Sequence, residues 1–386
     1  INLISNTMKN KLNIQSLIPL LMCFFVMGMV DIVGVSTNYI KQDFNLDAFV
    51  ASLLPMMVFL WFALFSIPSG MLMGRIGRKK TVLLAVLVHL FALLLIYSFN
   101  NLTAIFTAFI LLGIGNTIIQ VSLNPLISDF VTGKKLTGVL TLGQFVKAIS
   151  SFLAPIVASS AAIYWGSWKY VFLIYSGVAI LAFLSLYPLK IKESESKESL
   201  GAGAILSLLK NKYILKLFFG ILLIVGIDVC MNLHSPSILM DKLNIDLEAA
   251  SLGTSVYFAA RTLGTFLGAF LLMKLRSDLF SRYSIIAAFV GFAFLLTSDN
   301  QYVLYGSIFL LGISFANIFS IIYSAAIQYL PSKANEISSL MIMGVAGGAI
   351  LPPIMGYASN MVGVVGSFSV LIIASVYLFF LPIKSE

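Results

Sequence analysis

Between Leu12 and Ile40 the sequence carries one charged residue, Asp31. An apolar run of that length can cross a hydrocarbon core about 30 Å thick as a helix. Lipid offers the backbone no water to bond to, so a spanning segment must be a helix or part of a closed barrel. At a rise of about 1.5 Å per residue, Asp31 lies roughly 15 Å from Lys41, near the middle of the bilayer. A carboxylate at that depth is costly, and such residues face a protein interior or a water-filled path and take part in function. Asp31 is therefore expected to line a central cavity in a bundle of spanning helices.

The chain is 60% hydrophobic and 10% charged, whereas a soluble domain has about 25% charged residues. Its mean hydropathy is +1.02. Apolar runs near 16–40, 49–73, 81–99, 102–131, 137–163, 169–190, 213–239, 249–274, 283–298, 301–330, 336–364 and 365–383 read as twelve spans. The expected fold is an all-α membrane protein, with twelve transmembrane helices in two pseudo-symmetric six-helix bundles. The net charge of +9 does not point to nucleic acid, because the basic residues sit in loops on one side rather than on a continuous face. Cys23 and Cys230 fall inside apolar runs, so neither a disulfide framework nor a CxxC metal site is available. No P-loop, GxSxG or HExxH motif is present, which argues against ATP-driven transport and intramembrane hydrolysis. No metal, cofactor or catalytic residue is expected. The first apolar run is too long for a signal-peptide h-region, and Met8-Lys9-Asn10-Lys11 reads as a natural start.

A charged, Ser-rich stretch from Lys190 to Ser199, continued by Leu200 to Lys212, divides the spans six and six. Residues 1–190 are expected to form an N-terminal bundle, 191–212 a cytoplasmic linker and 213–386 a C-terminal bundle. The halves repeat. Asn45-Leu-Asp47-Ala-Phe-Val-Ala-Ser-Leu53 matches Asn244-Ile-Asp246-Leu-Glu-Ala-Ala-Ser-Leu252, and Leu111-Leu-Gly-Ile114 matches Leu310-Leu-Gly-Ile313, both at an offset of 199 residues. Internal duplication of this kind marks secondary transporters, which place their binding site between the halves near the midplane. Of the 24 Lys and Arg residues, 19 fall at the termini and in the even-numbered loops. Three, Lys41, Lys169 and Lys242, fall on the opposite face, and Lys147 and Arg261 fall within spans. The excess marks the cytoplasmic side and puts both termini there, in a bacterial inner membrane.

The segment Gly70-Met-Leu-Met-Gly74-Arg75-Ile-Gly77-Arg78-Lys79-Lys80 joins spans two and three. It resembles the signature loop of the major facilitator superfamily, Gly-x-x-x-Asp-Arg-x-Gly-Arg-Arg/Lys, with Gly74 standing where that family has Asp. The resemblance implies a gating role for Gly70, Arg75, Gly77 and Arg78. Asp129, five residues before Lys134 at the same end of span four, reads as a gate or loop-anchoring charge. Further stretches resemble the fucose:proton symporter branch of sugar transporters. They are Val30-Asp31-Ile32, Gln120-Val-Ser-Leu-Asn124-Pro125, Leu142-Gly-Gln144-Phe-Val-Lys147 and Gly347-Gly348-Ala-Ile-Leu-Pro352-Pro353-Ile-Met-Gly356. In that branch a span-one Asp and a span-four Glu are the coupling and binding acids. Asp31 falls on the first position, which implies proton coupling there. Gln120 stands at the second, so a two-carboxylate mechanism is not carried over.

Asp228, Arg261 and Lys147 are each 12 or 13 residues from the nearest flanking charge, roughly 18–20 Å along a helix. Two compatible readings follow. Asp31/Lys147 and Asp228/Arg261 are structural ion pairs, since buried charges persist only when paired, or at least one acid titrates or binds during transport. Asn116, Gln120 and Asn124 recur at i, i+4 and i+8 on span four, Gln144 and Lys147 at i, i+3, Asp228 and Asn232 at i, i+4, and Asn317 and Ser320 at i, i+3. Such stripes offer the directed donors and acceptors a polyol needs; the alternative is helix–helix hydrogen bonding. The expected substrate-binding set is Asn116, Gln120, Asn124, Gln144, Lys147, Asp228, Asn232, Arg261 and Asn317. His234 points away from the Asp228 stripe, and His89 is expected to be peripheral. The small-residue steps Gly70/Gly74, Gly264/Gly268 and Gly344/Gly348 read as close helix packing.

The reading is a monomeric, lipid-embedded secondary transporter for a small molecule, taking up a sugar or sugar derivative with a proton. Sodium coupling, an anionic sugar or organic anion held by Lys147, and export of lipophilic compounds stand as alternatives. A non-transporting sensor is disfavoured, because the longest hydrophilic stretch is the short central linker.

Overall fold

Helices occupy each of the twelve apolar runs, and no strand occurs among the described residues. The computed structural model describes residues 14–46, 48–131, 134–191, 193, 201–245, 250 and 252–383. Lys9, Lys11, Asp47, Asp246, Lys384 and most of the Ser-rich linker lie outside them. In chain order the helices are α1 (Ile14–Gly28), α2 (Ile32–Asp43), α3 (Ala48–Ile76), α4 (Arg78–Ser98), α5 (Leu102–Ser128), α6 (Lys134–Trp165), α7 (Tyr170–Leu186) and α8 (Ala202–Ser207). They continue with α9 (Lys212–Leu243), α10 (Leu252–Leu271), α11 (Ser277–Thr297), α12 (Gln301–Phe315), α13 (Ile318–Tyr329), α14 (Ala334–Met343), α15 (Gly347–Ser367) and α16 (Ser369–Phe379). Among the described residues, 8 helical stretches are long and apolar enough to cross a membrane unaided. Phe91, Leu181, Phe294 and Ile373 stand exposed. Apolar surface on that scale belongs against lipid tails rather than water.

The internal repeat is written into the backbone. Asn45 (φ 49°) and Asn244 (φ 51°) are the non-glycine residues with positive φ among those described. Asn tolerates the left-handed region, and here it ends a helix in each half. At the same 199-residue offset, α4 and α11 begin at Arg78 and Ser277 and each run for 21 residues. Likewise α5 and α12 are capped by Asn101, which accepts from the Ala104 N–H, and by Asn300, which accepts from those of Tyr302 and Val303. The shared Leu-Leu-Gly-Ile motif has a packing reason. A Cβ on Gly113 would lie 2.7 Å from the Val58 carbonyl oxygen, and one on Gly312 would lie 2.6 Å from that of Tyr257. Glycine therefore lets α5 approach α3, and α12 approach α10, to backbone contact.

Three apolar runs that read as continuous spans are broken. A 3-10 turn at Met29–Asp31 separates α1 from α2, Ala316 and Asn317 separate α12 from α13, and a second 3-10 turn at Gly344–Ala346 separates α14 from α15. Periodicity cannot reveal such breaks, because both flanks remain apolar. Irregular backbone at membrane depth survives only where protein or a cavity covers it. Two compact units result. The first holds Ile1–Thr132, Gly143–Leu206 and Leu330–Met343, and the second holds Gly133–Leu142, Ser207–Tyr329 and Gly344–Glu386. The beginning of α6 thus groups with the second unit and α14 with the first.

Candidate functional site

In the first unit the break after α1 sets Asp31 beside α6. The exposed Asp31 carboxylate accepts from the Ser151 hydroxyl at 2.5 Å. The Ser151 oxygen also lies 3.1 Å from the Lys147 carbonyl and 3.5 Å from that of Gly28. A Cβ on Gly28 would strike the Lys147 carbonyl oxygen and come within 2.8 Å of the Ser150 Cβ, so glycine is what brings α1 onto α6 here. Tyr175 of α7 donates to the Ser150 carbonyl at 2.8 Å and meets Phe25 edge-on at 6.1 Å. Lys147 and Gln144 are half-buried, and Lys147 forms no ion pair among the described residues. The Asp31/Lys147 bridge weighed from sequence is thus not made; a neutral hydroxyl holds the acid instead. Ser151, one turn beyond Lys147, had no signal of its own in the sequence.

The span-four stripe is buried: Asn116, Gln120 and Asn124 are 1%, 5% and 1% exposed. Asn124 donates to the Gln120 carbonyl at 3.0 Å. The side-chain carbonyls of Asn116 and Asn124 have no partner. An unsatisfied buried acceptor costs about 1–3 kcal/mol.

In the second unit, Asp228 of α9 uses both carboxylate oxygens. Oδ1 accepts from the Tyr257 hydroxyl at 2.7 Å, and Oδ2 pairs with Arg261 at 2.7 Å. Tyr257 and Arg261 lie one turn apart on α10, so both reach the same acid. Tyr257 is fully buried, and its aromatic character hid it among core residues. One turn past Asp228, the Asn232 carbonyl accepts from the Thr254 hydroxyl at 3.0 Å, and its side chain is half-buried. Asn317 departs from the cavity-lining expectation. It is 2% exposed, donates to the Gly264 carbonyl at 2.9 Å and sits where a Cβ on Gly268 would be. It clamps α10 to the break between α12 and α13. His89 is likewise not peripheral: it is fully buried between α4 and α5, with Nδ1 3.0 Å from the Ala85 carbonyl and 2.8 Å from where a Gly115 Cβ would be.

At the basic-loop end of the first unit, Arg78 starts α4 after Gly77, whose φ of 91° favours glycine. The buried Arg78 guanidinium meets Asp129 at 2.5 Å, the Pro125 carbonyl at 3.2 Å and the Asn335 side-chain oxygen at 2.8 Å. Glu193 caps the helix, accepting from the backbone N–H groups of Arg78 at 2.6 Å and Lys79 at 2.9 Å. The Lys79 ammonium donates to the carbonyls of Tyr187 and Leu189 at 2.7 and 2.8 Å. Gly70 leaves room for Ser339 of α14, and Ser338 donates to the Val121 carbonyl at 2.5 Å. Gly70, Gly77, Arg78 and Asp129 therefore all lie in tight contacts at this end, while Arg75 is exposed. Asn335 and Glu193 are distant in sequence and belong to no motif, so only the fold identifies them.

The sequence model of the Major Facilitator Superfamily matches residues 20–353. A Helicobacter pylori protein is 24% identical over 98% of both chains. The glucose/galactose transporter of Brucella abortus is 23% identical over 95% of this chain and 92% of its own. Among solved structures, the E. coli fucose:proton symporter superposes with a TM-score of 0.83 over 95% of this chain and 97% of its own, at 16% identity.

Proposed function

Because this chain belongs to the major facilitator superfamily, we propose that it carries a sugar or sugar derivative together with a proton, by alternating access. It is a multi-pass membrane transporter and not an enzyme. One observation carries the coupling: Asp31 is an exposed acid at a break in a spanning helix, held by the Ser151 hydroxyl and by no cation among the described residues. Such an acid gains or loses a proton without stranding a buried partner charge. Asp228 is the contrasting case. Losing its charge would strand the Arg261 guanidinium, so it serves the framework.

The sugar reading draws on the glucose/galactose transporter among the relatives. Half-buried polar groups of the first unit, Gln144 and Lys147, are the candidates for its hydroxyls. Arg78, Asp129 and Asn335 serve as a gate that opens and closes in the cycle. The basic loops and both termini face the cytoplasm of a bacterial inner membrane.

The test is uptake into proteoliposomes under an imposed inward acid gradient, with neutral hexoses, deoxyhexoses, amino sugars and uronic acids. Wild type is expected to concentrate a sugar, and Asp31→Asn to exchange it without concentrating it. Accumulation that follows a sodium gradient alone, or that survives Asp31→Asn, would remove the proton reading.

A further inference from the structure

The deep charges of this chain do not balance in the same way in its two units. In the second unit the carboxylate of Asp228 neutralises Arg261 at 2.7 Å. In the first, Lys147 lies 12 residues from Lys135 and 22 from Lys169, roughly 18 Å of helix from the nearer flanking charge. A lysine that deep is costly, and it normally pairs or faces a functional cavity. Among the described residues it forms no ion pair.

The local geometry nevertheless puts Lys147 beside the coupling acid. Ser151 bridges Asp31 and the Lys147 backbone, and Gly28 brings α1 against that same carbonyl. Lys147 and Ser151 are one helical turn apart, about 6 Å between side-chain origins. Gln144 shares the Lys147 face. Among the described residues, the other groups around Asp31 bring no compensating charge. Leu102–Ser128 of α5 contains no charged residue, the nearest on α2 is Lys41 at its far end, and the neutral Tyr175 hydroxyl of α7 is committed to Ser150.

From this accounting we infer that the substrate is a monoanionic sugar, carrying a carboxylate that Lys147 holds, and that it moves together with the proton on Asp31. The inference rests on the sugar-symport reading above and names the substrate class within it. With Asp31 protonated, the cluster carries the single positive charge of Lys147, which a carboxylate neutralises. When Asp31 releases its proton, its negative charge repels the carboxylate of the substrate. Proton and anion therefore bind and leave together. A sugar phosphate, with a charge of about −1.5 to −2 at neutral pH, overshoots one ammonium. One proton and one monoanion sum to zero charge, so transport is electroneutral. A neutral sugar moving with a proton would instead carry current.

The experiment compares radiolabelled glucose, galactose, glucuronate, galacturonate and glucose 6-phosphate in proteoliposomes of the full chain. A pH gradient and a valinomycin-set potassium diffusion potential are imposed separately. The expected result is uronate accumulation driven by the acid gradient and unmoved by the potential. Lys147→Gln is expected to lower it at least 100-fold, with Lys147→Arg retaining most of it. Uronate binding to detergent-solubilised Lys147→Gln, followed by intrinsic tryptophan fluorescence beside a melting curve, separates lost recognition from misfolding. If glucose or galactose is concentrated equally by wild type and Lys147→Gln, and responds to the potential, the anion inference is overturned while sugar symport stands. If no sugar moves under any gradient, both fall.

Discussion

Ser151 and Asp31, 120 residues apart, share a 2.5 Å hydrogen bond across two helices, while Lys147, one turn from Ser151, leaves the acid alone. Ser151→Ala removes a hydrogen bond to a charged group, worth about 1.5–3 kcal/mol, and frees the carboxylate from its place against α6. Acid-driven uptake is expected to fall, with Ser151→Thr restoring it. Uptake unchanged in Ser151→Ala would mean that the contact plays no part in coupling.

The Asp228–Arg261–Tyr257 group behaves as a structural unit. Arg261→Met leaves the buried Asp228 carboxylate without its cation, and Asp228→Asn does the reverse. Each is expected to lower stability by about 3–5 kcal/mol. The double variant is expected to cost less than the sum, since neither charge is then stranded. Thermal unfolding in detergent measures all three. Additive losses would show that the pair is not coupled.

At the basic-loop end, Arg78→Ala strips Asp129 of its guanidinium and is expected to cost about 3–5 kcal/mol. Asn335→Ala removes one bond to a charged group, about 1.5–3 kcal/mol. If α14 moves in the cycle, Asn335→Ala also loosens it, so a cysteine placed at Ser338, buried at 0% exposure, is expected to react faster with a thiol reagent. Unchanged labelling would assign Asn335 to stability alone.

Gly28 and Gly177 make a paired test of helix packing. A Cβ on Gly28 strikes α6, whereas one on Gly177 meets nothing within 4 Å. Gly28→Ala is expected to cost about 1–3 kcal/mol through overpacking and to lower uptake by displacing Asp31 from Ser151. Gly177→Ala is expected to add about 0.5–1 kcal/mol, the ordinary gain of alanine over glycine within a helix. Melting temperatures of the two variants moving in the same direction would contradict the contact at Gly28.

Glu193 ties the linker to the start of α4 by accepting from Arg78 and Lys79. Glu193→Ala removes a helix cap, worth about 1 kcal/mol, and is expected to raise hydrogen exchange at the first turn of α4. Exchange there equal to wild type would show that another group caps the helix.

Several features were set by the sequence alone. In lipid only a helix or a closed barrel satisfies the backbone, and continuous apolar runs of about 20 residues fit the helix, so the runs dictated an all-helical membrane protein. The 199-residue offset of Asn45/Asn244 and of the two Leu-Leu-Gly-Ile motifs dictated a repeat, because those positions need a left-handed cap or a backbone contact. Depth along the chain also marked Asp31, Lys147, Asp228 and Arg261 as costly charges. Pairing was a different matter. Charge depth is a one-dimensional property, whereas an ion pair requires two side chains to meet in space. Only the tertiary structure decided that Asp228 takes Arg261 and Tyr257, that Asp31 takes Ser151, and that Asn317 closes on Gly264. It did so through close approaches at glycines such as Gly28 and Gly268 and through breaks in spans one and ten, which a run of apolar residues does not announce.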